Sequence, residues 1–481
     1  MNFALFRLRH PICLLALGLC GCASYHALPL ASQAGTANAG DIKVDPAQMP
    51  TQPLASHRFN PDNGLDVTET AMLAVANNPH LRLMRDDAGI AHAQSFAAGL
   101  LPDPQVTFAQ DFVTGGSGGV GATSPFGLGV SYDVGSLLTY SSRTHAAQWN
   151  EKQVDLNLLW AEWQTVAQAR TLFARVLSDR ATVKRMQTET TALEPLRAPI
   201  RTALAAGNLS YELASSGLTS AADARQKLTA AQTALNQSEH DLRALLGLRA
   251  QAPLRLVGSA DRTVRGAAQI QSALQQLPQR RPDLLALRAG YVSQNEKLRE
   301  QIVKQFPTLT IGFNRARDNA GVYTSGFAVS LSLPLFDRNR GGVAVERATR
   351  QRLHDDYSAH LLTTYNDVDR LCAQQSLEQA ALPTATAHAA QLDQSLQQAE
   401  TAWRAHQLTL PTYLSLRSGA LNADQQLTTL RLNVAETGIA LQTLLGGNWS
   451  DSAAARIRSG TPSHLKMTEH LDDTNRHAKN P

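Results

Sequence analysis

The 481-residue sequence predicts a mainly α-helical chain with a small β part, built as two tandem copies of one unit. Three observations lead there. Landmarks recur about 200 positions apart. Long stretches rich in Ala, Leu and Gln keep helical spacing, and each half holds two short runs with period-2 alternation.

The chain opens with Arg7, Arg9 and His10 ahead of an apolar run from Ile12 to Leu19. That is a charged n-region and a short h-region, too short to cross a bilayer as a mature helix. The run ends in Leu19-Cys20-Gly21-Cys22-Ala23-Ser24. Leu19 and Gly21 stand at −3 and −1 of Cys22 as in a bacterial lipobox, making Cys22 the candidate lipidation site. Cys20 competes, but the bulky Leu19 precedes it where a small residue is wanted. An ordinary signal peptide with incidental cysteines fits the same run. Ala23, not Asp, follows Cys22, so nothing signals inner-membrane retention. Past this point only Cys372 remains, which excludes an internal disulfide.

The repeat is the most informative feature. Asn78-Pro79-His80-Leu81 resembles Arg281-Pro282-Asp283-Leu284, and Pro104 to Phe108 resembles Pro307 to Ile311, both 203 positions apart. Gly127 to Ser131 matches Gly326 to Ser330, Leu209-Ser210 matches Leu408-Thr409, and Leu245-Leu246-Gly247 matches Leu444-Leu445-Gly446, all at 199. The expected divisions are a lipoprotein signal peptide (1–21), an N-terminal segment that tethers or wraps (22–62), two repeats (63–257 and 258–448) and a hydrophilic tail (449–481).

Each unit starts with a helical segment, about Val67 to Gly99 and Ala268 to Lys304, stopped by proline. Two strands follow, about 105–112 and 126–134 in the first half and 308–316 and 325–334 in the second. Leu309, Ile311 and Phe313 share one face; so do Phe327, Val329, Leu331 and Leu333, opposite Ala328, Ser330 and Ser332. Apolar residues on one side and small polar ones on the other fit a lipid-facing barrel strand with a wet lumen, and also a soluble hairpin. Four strands cannot close a barrel, because their edges would stay unpaired in lipid. A membrane reading therefore requires several chains, and three chains of four strands give a plausible twelve-stranded transmembrane β-barrel.

Very long helical patterns come next, from about Leu138 to Ala206 and from Gly342 to Ala405. At 1.5 Å per residue, ~65 residues reach roughly 100 Å. Leu159, Trp163, Val166, Phe173 and Leu177 keep three-four spacing, and Pro195 and Pro199 predict a kink near the first tip. Return helices follow, about Leu213 to Leu246 in the first half, with Leu427, Leu430, Val434, Leu441 and Leu444 at heptad positions in the second. Stripes this long need packed neighbours along their whole length, as in an antiparallel coiled-coil hairpin.

Composition excludes several classes. The net charge of +4 argues against a nucleic-acid partner. No apolar run after the signal is long enough for a membrane helix. No HExxH, nucleophile elbow or phosphate loop appears, so no catalytic residue, cofactor or metal site is expected. His80, His92, His354 and His388 read as solvated helix residues. Gly115 to Gly119 reads as a surface loop.

The order of helix, strand pair, long helix, tip and return helix, twice over behind a lipobox, resembles the TolC-like outer-membrane factor family from about residue 60 to 450. Asn77-Asn78-Pro79, Gly99 to Pro104, Leu333 to Gly341 and Pro383 resemble its CzcC-like heavy-metal efflux branch. The resemblance implies a lipid-anchored homotrimer in the outer membrane of a Gram-negative bacterium, with a long periplasmic α-helical barrel. It implies a passive exit duct that docks on a periplasmic adaptor fed by an inner-membrane RND-type pump and exports heavy-metal cations. Drug efflux or type I protein secretion are alternatives within the family; a lipid-anchored periplasmic coiled-coil adaptor is one from another class.

In that family the tips face the adaptor. Here the first tip is Gly207-Asn208-Leu209-Ser210, where Gly207 relieves the turn backbone and Ser210 caps the return helix. A purely structural turn explains the same residues. The second tip keeps Leu408 and Thr409, but His406 stands where the first has glycine. Glu212 is the candidate gate acid of the first repeat; Pro411 and Thr412 occupy the corresponding place in the second, so an acidic ring has one set of carboxylates per trimer at most.

Overall fold

The computed structural model describes residues 25–30, 38–112, 124–259 and 266–446. The chain divides into two units, Met1–Ala37 and Asn38–Pro481. Within the first, residues 25–30 have no regular secondary structure and lie exposed. The architecture below is that of the second.

The segment from Asn38 to Asn63 wraps rather than dangles. Two 3-10 turns (Ala39–Asp41 and Pro46–Gln48) and a one-turn helix (Gln52–Ala55) bring Met49 and Leu54 into a core with Met72, Leu73, Trp163 and Leu246. Leu65 then pairs across Arg255 to Val257, at 2.8 and 2.9 Å, joining the start of the first repeat to its end.

The first expected helix is two helices: α1, Val67–Asn77, and α2, Pro79–Ala98. The second copy divides likewise into α6, Ala267–Arg280, and α7, Pro282–Val303. The residue before each proline, Asn78 or Arg281, leaves the helical region at ψ 126° or 121°. Proline sterics drive that residue out of the α region, and proline itself suits a first helical position. Asn78 fills the break twice over: its Oδ1 accepts from His80 and Leu81 N–H, and its Nδ2 donates to the Leu245 carbonyl at 2.8 Å.

Four antiparallel strands follow the same doubling: β1 (Gln105–Gln110), β2 (Phe126–Asp133), β3 (Thr308–Arg317) and β4 (Tyr323–Ser332), ordered β1-β2-β3-β4 in one sheet. Register places Val106, Val130, Phe313 and Phe327 in one row across the sheet and Gln105, Ser131, Gly312 and Ala328 in the next. One face thus carries Phe108, Leu128, Ile311, Val329 and Leu331, and the other Thr107, Gly129, Thr310, Ser330 and Ser332. Among the described residues no strand covers the outer edge of β1 or of β4.

The long helices are α3 (Gly135–Leu193, 59 residues) and α8 (Arg340–Arg404, 65 residues). They return through α5 (Tyr211–Leu245) and α9 (Leu410–Leu444). Side by side, α2 packs on α3, α3 on α7 and α7 on α8, the same lateral order as the strands. At the contact of α3 and α7 the amide of Gln153 lies over Gly290, where a Cβ would meet its Oε1 at 2.7 Å. Trp163, Val166 and Phe173 of the expected stripe are buried, and each fully buried large side chain contributes roughly 2–3 kcal/mol. The expected kink is a 3-10 turn, Glu194–Leu196, at Pro195; Pro199 lies in the first turn of α4 (Arg197–Ala205), where its missing N–H breaks no bond. Pro383 stays inside α8 without ending it.

Candidate functional site

The features that bear on function lie at opposite ends of the hairpins: the two tips and the sheet. Each tip is a Schellman turn. Asn208 N–H donates to the Ala203 carbonyl (2.8 Å) and Gly207 N–H to Leu204 (3.0 Å). In the second tip Gln407 N–H donates to Ala402 (2.9 Å) and His406 N–H to Trp403 (3.0 Å). The turn needs one residue in the left-handed region, and Gly207 supplies it at φ 73°. His406 adopts the same region at φ 55°, where a Cβ is strained.

Ser210 caps α5 with its Oγ accepting from Leu213 N–H at 3.4 Å. Thr409 stands at the matching position of α9, but its hydroxyl pairs with Thr412 Oγ1 at 2.8 Å instead of capping. Leu209 is half-buried. Leu408 is half-buried too, packed on an inner cluster of Leu193, Leu396, Tyr413 and Leu414. The two tips are neighbours: a Cβ at Gly217 would meet Ile200 Cδ1 at 2.5 Å and Leu410 Cδ2 at 3.3 Å. Glu212 is exposed in the first turn of α5, where a carboxylate also favours the helix N-terminus. Tyr211, which the sequence reading passed over, is 78% exposed beside it. Its signal is an aromatic at the first position of a helix, directly after the tip turn. Cys22 and Gly115 to Gly119 lie outside the described residues.

Above the tip Arg417 gathers Glu189, Glu400 and Tyr413 by hydrogen bonds of 2.8 to 3.0 Å, with the Tyr413 ring stacked on Trp403 at 5.4 Å. Burial works against the Arg417 charge, and Glu189 outweighs it, holding its pKa above the usual value. No motif pointed to this cluster, because its members come from three helices.

At the other end the apolar sheet face is open to solvent in the single chain, with Phe327 89% exposed. Phe313 and Phe327 pack edge to face at 5.6 Å, as do Phe126 and Tyr323 at 6.2 Å. The Leu333 to Gly341 stretch forms the corner from β4 into α8. Arg338 and Asn339 are left-handed there (φ 50° and 48°), and Asn339 Nδ2 donates to Gln301 O and Oε1 at 2.8 Å. Among the described residues no His, Cys, Asp and Glu group is disposed to hold a metal ion, and no helix is long and apolar enough to cross a membrane.

Comparison with known proteins agrees with this geometry. Residues 273–447 match the family model for outer membrane efflux protein. No curated protein sequence matches the chain. Among solved structures, the Campylobacter jejuni CmeC outer membrane channel superposes with a TM-score of 0.70 at 15% identity, over 84% of this chain and 90% of that one. The open state of the Neisseria gonorrhoeae MtrE outer membrane channel gives 0.66 at 16%, over 90% and 99%. A structure of CusC, described in terms of folding and transmembrane channel formation, gives 0.66 at 17%, over 83% and 97%. At such identities the likeness establishes the fold. Residues 273–447 thus match the outer membrane efflux protein model, and the chain shares its fold with solved outer-membrane channels such as CmeC and MtrE.

Proposed function

We propose that the protein is the outer-membrane duct of a tripartite efflux system: a homotrimer, without catalysis, through which cargo leaves the periplasm. The sheet carries the proposal. It has an exposed apolar face, a small-residue polar face and two uncovered edges, so β4 of one copy can pair with β1 of the next. Three copies give twelve strands around a polar lumen, with the hairpins continuing as a tube. The matched family and the channels of like fold support this reading. Deleting the gene should leave its pump unable to confer resistance, and a plasmid copy should restore it. Resistance that persists in the deletion strain contradicts the duct.

Three finer points belong to the same proposal. Cys22 is the acylated first residue of the mature chain, which radiolabelled palmitate and a Cys22→Ser variant test. The tips at Gly207 to Ser210 and at Leu408-Thr409 meet a periplasmic adaptor fed by an RND-type pump, and Glu212 is the acid nearest the gate. The cargo is heavy-metal cations. This last reading rests on the resemblance of Leu333 to Gly341, which shapes the strand-to-helix corner. Growth of the deletion strain on zinc, cobalt, cadmium, copper and silver beside a drug panel decides it, and sensitivity to drugs alone would refute metal cargo.

A further inference from the structure

The apolar face of the sheet carries two charges among its described residues, Arg315 and Arg317, both near the loop end of β3. They sit in the rows of Leu128 and Ser325, and of Phe126 and Tyr323. The guanidinium of Arg315 lies 5.6 Å from the Tyr323 ring centroid; that of Arg317 lies 5.5 Å from Phe126 and 6.0 Å from Tyr323. Arg317 Nη2 donates to the Ser124 carbonyl at 3.0 Å, while its Nε is buried with no hydrogen-bond partner.

Among the described residues the contacts of the two arginines are these rings and the Ser124 carbonyl, with no carboxylate in ion-pair contact. In the segment joining β1 to β2, residues 111–125, the one acidic residue is Asp111, and no ion pair joins it to either arginine. Asp318, next in sequence, has its Oδ1 accepting from Ala320 and Val322 N–H of its own turn, each at 2.9 Å. Two guanidinium groups thus stand without an ion-pair partner on a mainly apolar face, beside aromatic rings. An arginine facing lipid is costly at the bilayer midplane and nearly free at the interface, where aromatic girdles also lie. The exposed Arg315 keeps its N–H groups available, whereas Arg317 has its Nη2 on Ser124 and its Nε buried; guanidinium N–H groups match phosphate oxygens.

We infer that Arg315 and Arg317 form a binding site for the phosphate of an anionic lipid in the outer leaflet. The inference rests on the duct reading, which makes this face lipid-facing and places the strand loops outside the cell. Phe126 and Tyr323 shape the site, and the neighbouring Leu128 and Phe327 receive the acyl chains.

The test uses full-length channel extracted from outer membranes into detergent. Binding is measured for bisphosphorylated lipid A, dephosphorylated lipid A and inorganic phosphate, with wild type and an Arg315→Gln/Arg317→Gln variant. Wild type should prefer the phosphorylated lipid by roughly tenfold, and the variant should lose that preference. Equal binding of the two lipids to wild type overturns the site without any variant, as does a preference that the variant retains. Complete displacement by millimolar inorganic phosphate identifies a free-anion site and overturns the lipid assignment. A chain absent from the outer-membrane fraction contradicts the duct itself, which separates the two failures.

Discussion

Arg417 Nε donates to both carboxylate oxygens of Glu189, at 2.9 and 3.0 Å, across 228 positions of chain. The pair joins α3 of the first repeat to α9 of the second near the tips, and both residues are buried. Removing one partner strands the other charge away from water. Arg417→Met should cost about 3–5 kcal/mol. Adding Glu189→Met should recover most of it, because the double variant leaves no orphaned charge at that contact. Thermal unfolding of the purified protein reads both, and additive losses would show that the two side chains are not coupled.

The tip turns place different residues in the left-handed position, Gly207 and His406, and the difference has a sign. Gly207 has open space where a Cβ would stand, so Gly207→Ala is penalised by backbone conformation alone, by about 1 kcal/mol. His406→Gly should relieve a similar strain in the second tip. Hydrogen exchange of the two turns should slow in the His406 variant and quicken in the Gly207 variant. Equal, unchanged exchange would mean that His406 bears no strain.

Adaptor contact is best tested in the first tip. Leu408 packs inward on Tyr413 and Leu414, so changing it to Asp damages the hairpin itself. Leu209→Asp, alone or with Tyr211→Asp, alters the outer surface. We expect loss of efflux and of adaptor cross-linking with trimer yield unchanged. Wild-type efflux in the double variant would remove these turns from the interface.

Asp155 gives a pH dependence. Burial first, and then the Glu151 charge, raise its carboxyl from 3.8 to about 6, with His92 acting the other way. The folded chain binds this proton more tightly than the unfolded chain. Its contribution is therefore fully present below about pH 4 and is lost as pH rises through about 6. Asp155→Asn should flatten that part of the stability profile and raise the melting temperature at neutral pH. An unchanged profile would place the titration elsewhere. Glu239 runs opposite: burial raises it, but Arg180 and Arg243 more than compensate and hold it low, so its contribution is lost on acidification.

Much of the fold was legible because repetition carries information that single motifs lack. The 199-residue spacing of Gly207 and His406, and of Gly247 and Gly446, joins pairs that share the left-handed region in the structure. The strand faces were legible from alternation alone. The breaks at Asn78 and Arg281 were not, because a helical pattern continues through them and only the proline marks the fault. The Arg417 cluster was hidden because long-range pairing leaves no local pattern. That Leu408 of the adaptor-facing tip is half-buried against the inner cluster was hidden for the same reason. Arg315 and Arg317 became informative only when register put them on the apolar face.

A closed barrel requires the uncovered edges of β1 and β4 to pair between copies. The direct measurement is the mass of the protein extracted in mild detergent from separated membrane fractions. We predict one species of three chains, from the outer membrane, that resists SDS until heated. A single-chain species, or a protein found with the inner membrane, would contradict it.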